Sequence, residues 1–192
     1  RKVLGSEDDP KSVVSQQIDY WTTALAGLPD QLDVPSDRPR PAVASNSGAL
    51  VRFSIDEELH RSLIEAARRE NASLFMLVHT SLAVLLSRLS GETDIAIGTP
   101  VAGRGEAALD DLIGMFVNTL VLRTDVDPAL TFEELVARVR ETDLSAFAHA
   151  DVPFERLVEV LNPVRSTSRH PLFQVAISLE SAMSRELTVG DL

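Results

Sequence analysis

In a chain of 192 residues that contains no cysteine, chemistry has to come from histidines, hydroxyls, carboxylates or the backbone. One pattern stands out first. Gly103-Arg104-Gly105-Glu106-Ala107-Ala108 satisfies the GxGxxG/A dinucleotide pattern, follows an expected strand, and has Asp125 about 20 residues on, where an acidic residue would hold a ribose. The helix it would open has only about two turns before Gly114, too short for a crossover between parallel strands. A turning loop is therefore expected. The four histidines, at 60, 79, 149 and 170, are scattered, and no GxSxG elbow, P-loop or HExxH occurs, which removes the hydrolase and zinc-site readings. His60 sits beside Arg61 on an exposed helix face, and His79, on an apolar helix, reads as a core histidine. The absence of cysteine excludes disulfides, thiolate metal sites and thiol nucleophiles.

The elements that must position such residues alternate between helix and strand. Ile18, Trp21, Leu25 and Leu28 fall at helical spacing until Gly27 and Pro29 stop the helix, and a Pro-rich connection runs from Pro29 to Pro41. From Gly48 to Ile55, Leu50, Arg52 and Ser54 alternate against Val51, Phe53 and Ile55, the period of a half-buried strand. Ser54 and Glu57 form an expected capping box for a helix to about Glu70, and a second helix starts at Ser73, apolar on nearly every face from Leu74 to Leu86. Strands are expected over Asp94–Ala102 and Phe116–Val126, with a short helix around Ala107–Ile113 between them. Thr131 and Glu134 cap a helix lined by Phe132, Leu135, Val136, Val139, Ala146 and Phe147. Asp151-Val152-Pro153 starts one more helix, with Pro suited to its first turn, which Asn162-Pro163 ends; Leu172–Leu179 is the last strand. The class is α/β, with a mixed sheet of about four strands packed with helices.

Composition excludes several functions. Hydrophobic residues make up 44% and charged residues 24%, the balance of a globular domain with a substantial core. The net charge of -11 lacks the cationic surface that nucleic acid or an anionic membrane requires. No run reaches the 18 or so apolar residues of a membrane span, and Arg1 to Pro10 lacks the apolar core of a signal peptide, so a cytoplasmic protein is expected. Residues 1–90 carry 10 basic and 12 acidic groups and residues 91–192 carry 8 and 17, so an acidic partner should prefer the first half.

Three segments carry the functional reading: Ile113-Gly114-Met115-Phe116-Val117-Asn118-Thr119-Leu120-Val121-Leu122-Arg123, His149-Ala150-Asp151-Val152-Pro153-Phe154-Glu155, and Arg165-Ser166-Thr167-Ser168-Arg169-His170-Pro171-Leu172-Phe173. In this order and spacing they resemble the late motifs of condensation domains of nonribosomal peptide synthetases, and so do Gln17–Pro29 and Ile97–Arg104. Ala150 and Val152 replace the Gln and aromatic residue common in the family's second motif. No HHxxxDG motif, the one that supplies the family's histidine for amine chemistry, occurs in the 192 residues.

The resemblance implies the C-terminal lobe of a chloramphenicol acetyltransferase-like domain, with residues 1–12 as a linker or crossover end and 13–192 as the C-terminal subdomain. In that family two lobes form a V around a tunnel, where an acceptor amine attacks a donor thioester, both borne on phosphopantetheine of carrier proteins; no covalently bound cofactor and no metal is implied. Gly98, Thr99, Pro100 and Arg104 resemble the tunnel floor, or else form an ordinary surface loop, and Phe116, Asn118 and Thr119 stand beside them, with Asn118 bonding either backbone or substrate. Arg123, His149, Asp151, Pro153, Phe154, Arg165, Arg169, Pro171 and Phe173 are expected in the lobe interface or as structural motif residues; Arg165 and Arg169 are otherwise a solvated pair. No residue is assigned as catalytic, and the 192 residues alone are expected to be inactive. The implied partners are the N-terminal lobe, donor and acceptor carrier proteins and a neighbouring adenylation domain. Carrier docking would use Arg61 and Arg68, which share a helix face, unless Glu57, Glu58 and Glu65 pair with them. The alternatives are a non-catalytic condensation-like recruitment domain and an epimerization domain.

Overall fold

The computed structural model describes residues 4–103 and 112–180. Its elements run α1 (Val13–Ala24), α2 (Glu57–Arg69), α3 (Leu74–Ser90), β1 (Asp94–Ala102), β2 (Val117–Asp125), α4 (Phe132–Ala148), α5 (Phe154–Leu161) and β3 (Val175–Ala176). Side-chain caps start four of the helices, each accepting an otherwise orphaned backbone N–H. Ser12 accepts from Ser15 N–H, Asp56 from Leu59, Ser73 from Met76 and Thr131 from Glu134. Glu134 also closes a reciprocal box, accepting from Thr131 N–H at 2.8 Å, and that bond holds its carboxyl below the usual range. The cap of α2 is Asp56 and not the expected Ser54, because the chain is still extended at Asp56, with φ -75° and ψ 169°, and the helix begins at Glu57.

The sheet has the order β2-β1-β3, with β1 antiparallel to β2 and parallel to β3. Ile177 N–H donates to Gly98 O, so the even-numbered residues of β1 turn their backbone groups toward β3. Pro100, paired with Thr119, therefore lacks its N–H on the β3 side, where the ladder between β1 and β2 loses nothing. Three strands are present among the described residues where about four were expected. The difference is Gly48–Ile55, which pairs with no strand among the described residues, with Val51 85% and Phe53 88% exposed. Its alternation is real, but a strand exists only against a partner backbone, and none lies beside it among the described residues. The last strand is likewise cut from Leu172–Leu179 to Val175–Ala176, since Leu172 takes a positive φ of 67° and breaks the extended run.

The core divides around the sheet. Ile95, Ile97, Ala83, Leu86, Val126 and Leu135 join β1 to α3 and α4, and Ala67, Leu77 and Val136 join α2, α3 and α4. Trp21 of α1 and Leu25 at its C-cap cluster with Leu120, Val121 and Leu122 of β2, with Val152 and Leu157, and with Leu172 and Phe173. Burial of a side chain of this size stabilises by about 1.5–3 kcal/mol. On α4, Leu135, Val136, Val139 and Ala146 are buried as expected, whereas Phe132 and Phe147 at its ends stay exposed. Asp143, between Val139 and Ala146 on the inward side, meets the fully buried His79 of α3: Nδ1 hydrogen-bonds Oδ2 at 3.2 Å, Oδ1 lies 3.1 Å away without hydrogen-bond geometry, and Nε2 has no partner. The core histidine is thus half satisfied.

Residues 4–12 pack against α1 and α5: Ser15 Oγ donates to Glu7 O, and Arg156 of α5 pairs with Glu7 at 2.6 Å. The GxGxxG segment after Gly103 and the short helix around Ala107–Ile113 lie outside the described residues, except that Leu112 and Ile113 are not helical. Among the described residues, no single helix is long and apolar enough to cross a membrane.

Candidate functional site

The strand ends at Asn118 and Pro100 and the connection from α4 to α5 form one hydrogen-bonded assembly. Asn118 Nδ2 donates to Ala150 O and Val152 O, both at 2.8 Å, while Oδ1 accepts from Thr119 N–H at 2.8 Å and Phe154 N–H at 3.0 Å. Every hydrogen-bonding capacity of the amide is used, and only an amide offers two donors and two acceptor sites at this size. Of the two expected roles, this geometry is the backbone one. Pro153 is the N-cap of α5, one position earlier than expected, and offers no side-chain cap; Asn118 supplies that function from the neighbouring strand.

The same connection is held from α1. Gln17 donates to Asp151 Oδ2 at 2.7 Å and accepts from Asp151 N–H at 3.0 Å, and Trp21 Nε1 donates to His149 O at 2.8 Å. The His149 ring stacks on Tyr20 at 3.8 Å, nearly parallel, with Nδ1 donating to Ser145 O at 2.7 Å. Burial raises the pKa of the Tyr20 phenol, and the charge of Asp143 adds to the rise. Sequence reasoning missed Gln17 and Tyr20. The signal was present, since Gln17 is one turn before Trp21 and so shares the inward face of α1.

Arg123 ties α1 to the sheet. Its guanidinium grips Asp94 through two bonds of 2.8 Å and donates to Ala24 O and Ala26 O, the open carbonyls at the end of α1. Asp94 faces Asp125 across the ladder, a like-charge pair that would be destabilising alone. Arg123 neutralises the first and Arg138 the second, at 3.0 Å. The bonds to Asp94 raise the pKa of Arg123 further, against its burial.

On the β3 side, Gly98 lies under Phe173. A Cβ there would stand 2.3 Å from the ring, so this position must be glycine for Phe173 to pack. Phe173 in turn packs with Phe154 and His170, whose ring centroids lie 4.3–5.8 Å apart. Pro171 O accepts from His170 Nδ1 at 2.8 Å. Thr99 is buried in β1, and Phe116 is half-buried with its carbonyl accepting from Gly103 N–H. Ile113, Met115 and Val117, beside them, are exposed apolar residues. Arg104 lies outside the described residues.

The fold thus gathers Gly98, Thr99, Pro100, Phe116, Asn118, Thr119, Pro153, Phe154 and Phe173 around one end of the sheet, and Arg123, His149 and Asp151 against α1. Arg169 donates to Gln31 Oε1 at 3.2 Å, and Arg165 is exposed. Arg61 and Arg68 stand apart on α2, where Arg61 pairs with Glu57 at 3.0 Å. Among the described residues, no group of three metal-ligating side chains assembles. The assembly positions backbone through the hydrogen bonds of Asn118 and Gln17.

Comparison with known proteins places this geometry. The condensation-domain family model matches residues 6–189. A dimodular nonribosomal peptide synthase of Bacillus subtilis (strain 168) is 49% identical over all 192 residues, which span 8% of that protein's length. Among solved structures, holo-AB3403, a four-domain nonribosomal peptide synthetase bound to AMP and glycine, is 33% identical with a TM-score of 0.85, over 91% of this chain and 13% of that one. The X-domain of teicoplanin biosynthesis in its complex with OxyB is 38% identical with a TM-score of 0.86, over 91% of this chain and 38% of that one. From a match across nearly its whole length and a shared fold, the chain belongs to the condensation-domain family.

Proposed function

We propose that residues 13–192 are the C-terminal lobe of a condensation domain that joins two carrier-borne substrates through an amide bond. The family match over residues 6–189, in a chain with no HHxxxDG motif, carries this reading. In the reaction the acceptor amine attacks the donor thioester carbonyl, a C–N bond forms, the C–S bond breaks, and the amine's proton leaves as the thiol is released. Phosphopantetheine arrives with the substrates. The lobe's contribution is placement: holding amine and carbonyl in contact can supply much of the acceleration. The sheet end with Gly98, Thr99, Pro100, Asn118 and Thr119, braced by Phe173 and the connection from α4 to α5, is the wall suited to that task. The rigid braces support it, because such placement tolerates little slack.

A second reading, a recruitment domain without condensation activity, is favoured by the likeness to an X-domain that forms a complex with OxyB. The test is to supply the full-length protein with donor- and acceptor-loaded carrier proteins and follow dipeptidyl thioester by mass spectrometry. The expected result is product from the full-length protein and none from the 192 residues alone. Product from the fragment overturns the division into lobes, and no product from the full-length protein, with a separate enzyme bound instead, favours recruitment.

A further inference from the structure

Leu172 takes a left-handed backbone, with φ at 67°, and across it Phe173 N–H donates to Pro171 O at 2.9 Å. A bond of this span, closed over a central residue of positive φ, makes a γ-turn of the rare and strained kind. The left-handed region is costly for any residue with a Cβ, and leucine has no polar group to offset the cost, unlike the asparagines at 46, 71 and 162 that share the conformation. The compensation is tertiary. In an extended strand Leu172 and Phe173 would point to opposite faces. The turn lets both be buried, each 8% exposed, in one cluster with Trp21, Leu120 and Leu122.

Both sides of the turn are anchored. Before it, His170 Nδ1 donates to Pro171 O, the carbonyl that also closes the turn, and the His170 ring packs on Phe154 and Phe173. After it, the Gln174 amide donates to His170 O at 3.2 Å and accepts from Leu32 N–H at 2.8 Å. Val175–Ala176 then pairs with Ile97–Gly98, and Ile177 N–H donates to Gly98 O at 2.9 Å. Between Leu32, Ala96 and residues 172–174 the remaining cavity is about 10 Å³, no more than a single water needs, so the turn has no room to relax while the joint stays closed. We propose that Leu172 is a positioning residue for amide formation: its strained turn seats Phe173 on Gly98, where the absent Cβ leaves the room, and so fixes the β1 end at Gly98, Thr99 and Pro100. The proposal rests on reading that sheet end as the wall of a condensation lobe. A turn held by strain persists only where all its neighbours fit, and placing an amine against a carbonyl needs a wall defined that closely.

The experiment compares Leu172→Gly with Leu172→Ala in the full-length protein. Both lose the leucine's contacts, but only glycine relieves the turn. In extended backbone alanine is the better residue, and at a positive φ the order reverses. Hydrogen exchange by mass spectrometry, on peptides covering the Phe173 and Ile177 amides, should be about five- to thirtyfold slower in the glycine variant than in the alanine variant, the equivalent of a left-handed cost of about 1–2 kcal/mol. Amide formation from donor- and acceptor-loaded carrier proteins should follow the same order, with kcat lowered about tenfold by alanine and less by glycine. Loss of folded enzyme lowers kcat as well, so the deciding readout is a ratio, kcat/KM for the natural acceptor aminoacyl group against one a methylene longer. Unfolding lowers both alike, whereas a displaced wall should change the ratio about threefold or more. Phe173→Leu, a milder change that keeps the turn and thins the seat, should shift the same ratio and covers the case in which the Leu172 variants fail to fold.

The proposal is overturned if the alanine variant is protected as well as the glycine variant or better, because the turn then carries no strain. It also falls if exchange follows the expected order while the acceptor ratio stays at the parent value in every variant, since Leu172 is then structural only. Absence of amide product from the parent ends the positioning role together with the reading of the chain as a condensation lobe, and the exchange order still reports on the turn. Product from the parent with an unmoved ratio sinks the positioning role alone.

Discussion

Replacing Asn118 by aspartate changes one atom's chemistry and almost nothing of shape, which makes it a sharp test of the clamp between β2 and the connection from α4 to α5. Aspartate keeps the oxygen that accepts from Thr119 N–H and Phe154 N–H. It turns the donor to Ala150 O and Val152 O, now at 2.8 Å, into an acceptor facing two acceptors. Two donated bonds are lost at about 1 kcal/mol each, and the opposed oxygens add to the cost, so Asn118→Asp should destabilise by about 2–4 kcal/mol at pH 7. The carbonyls disfavour the charged carboxylate, so its pKa should be raised in the folded state. The loss is then largest above that pKa and shrinks as pH falls and the protonated group donates to one carbonyl. Asn118→Ala loses all four bonds without this pH dependence. Urea unfolding can be followed by Trp21, the single tryptophan, which is bonded to His149 O in the same connection. An aspartate variant within about 0.5 kcal/mol of the parent, or one whose deficit tracks the alanine variant at every pH, refutes the clamp.

Gly98→Ala brings a Cβ to 2.3 Å from the Phe173 ring and should cost about 1–3 kcal/mol, seen as a lowered Tm; an unchanged Tm means Phe173 has room to move. Asp143→Ala leaves the fully buried His79 Nδ1 without its partner and should cost about 1–3 kcal/mol, whereas replacing both residues by leucine should recover part of it, a comparison that denaturant midpoints decide. The hydrogen bond from Arg156 holds the Glu7 carboxyl below the usual glutamate range. The ion pair's share in anchoring residues 4–12 is therefore fully present above the ordinary glutamate value of about 4.3 and is lost as pH falls through the lowered folded value, while the bonds of Ser12 and Ser15 to Ser6 O and Glu7 O remain. Hydrogen exchange of residues 4–12 against pH should show it, and Arg156→Ala should abolish the transition.

Local physics made part of this protein legible in its sequence. The capping box at Thr131 and Glu134, the start of α3 after Ser73 and the extents of β1 and β2 depend on neighbours within a few residues, and the periodicity and cap chemistry carry that information directly. The motif resemblance was legible for the same reason, being written in contiguous residues. Whether an alternating segment becomes a strand depends on a second backbone. Gly48–Ile55 alternates as well as β1 does, yet it stays bare, while β1 pairs on both sides. Asn118 illustrates the other limit. Its type fits either a backbone clamp, the commoner role, or a substrate contact, and the fold brings Ala150 O, Val152 O and Phe154 N–H within 3.0 Å of it, the geometry of the clamp. The arginines followed the same rule: counted by halves, charge pointed to residues 1–90, but the tertiary fold joins Arg38 and Arg40 to the turn of Arg165 and Arg169 from the other half. Charge along a chain is a sum over sequence, whereas a surface is a sum over space, and only folding converts one into the other.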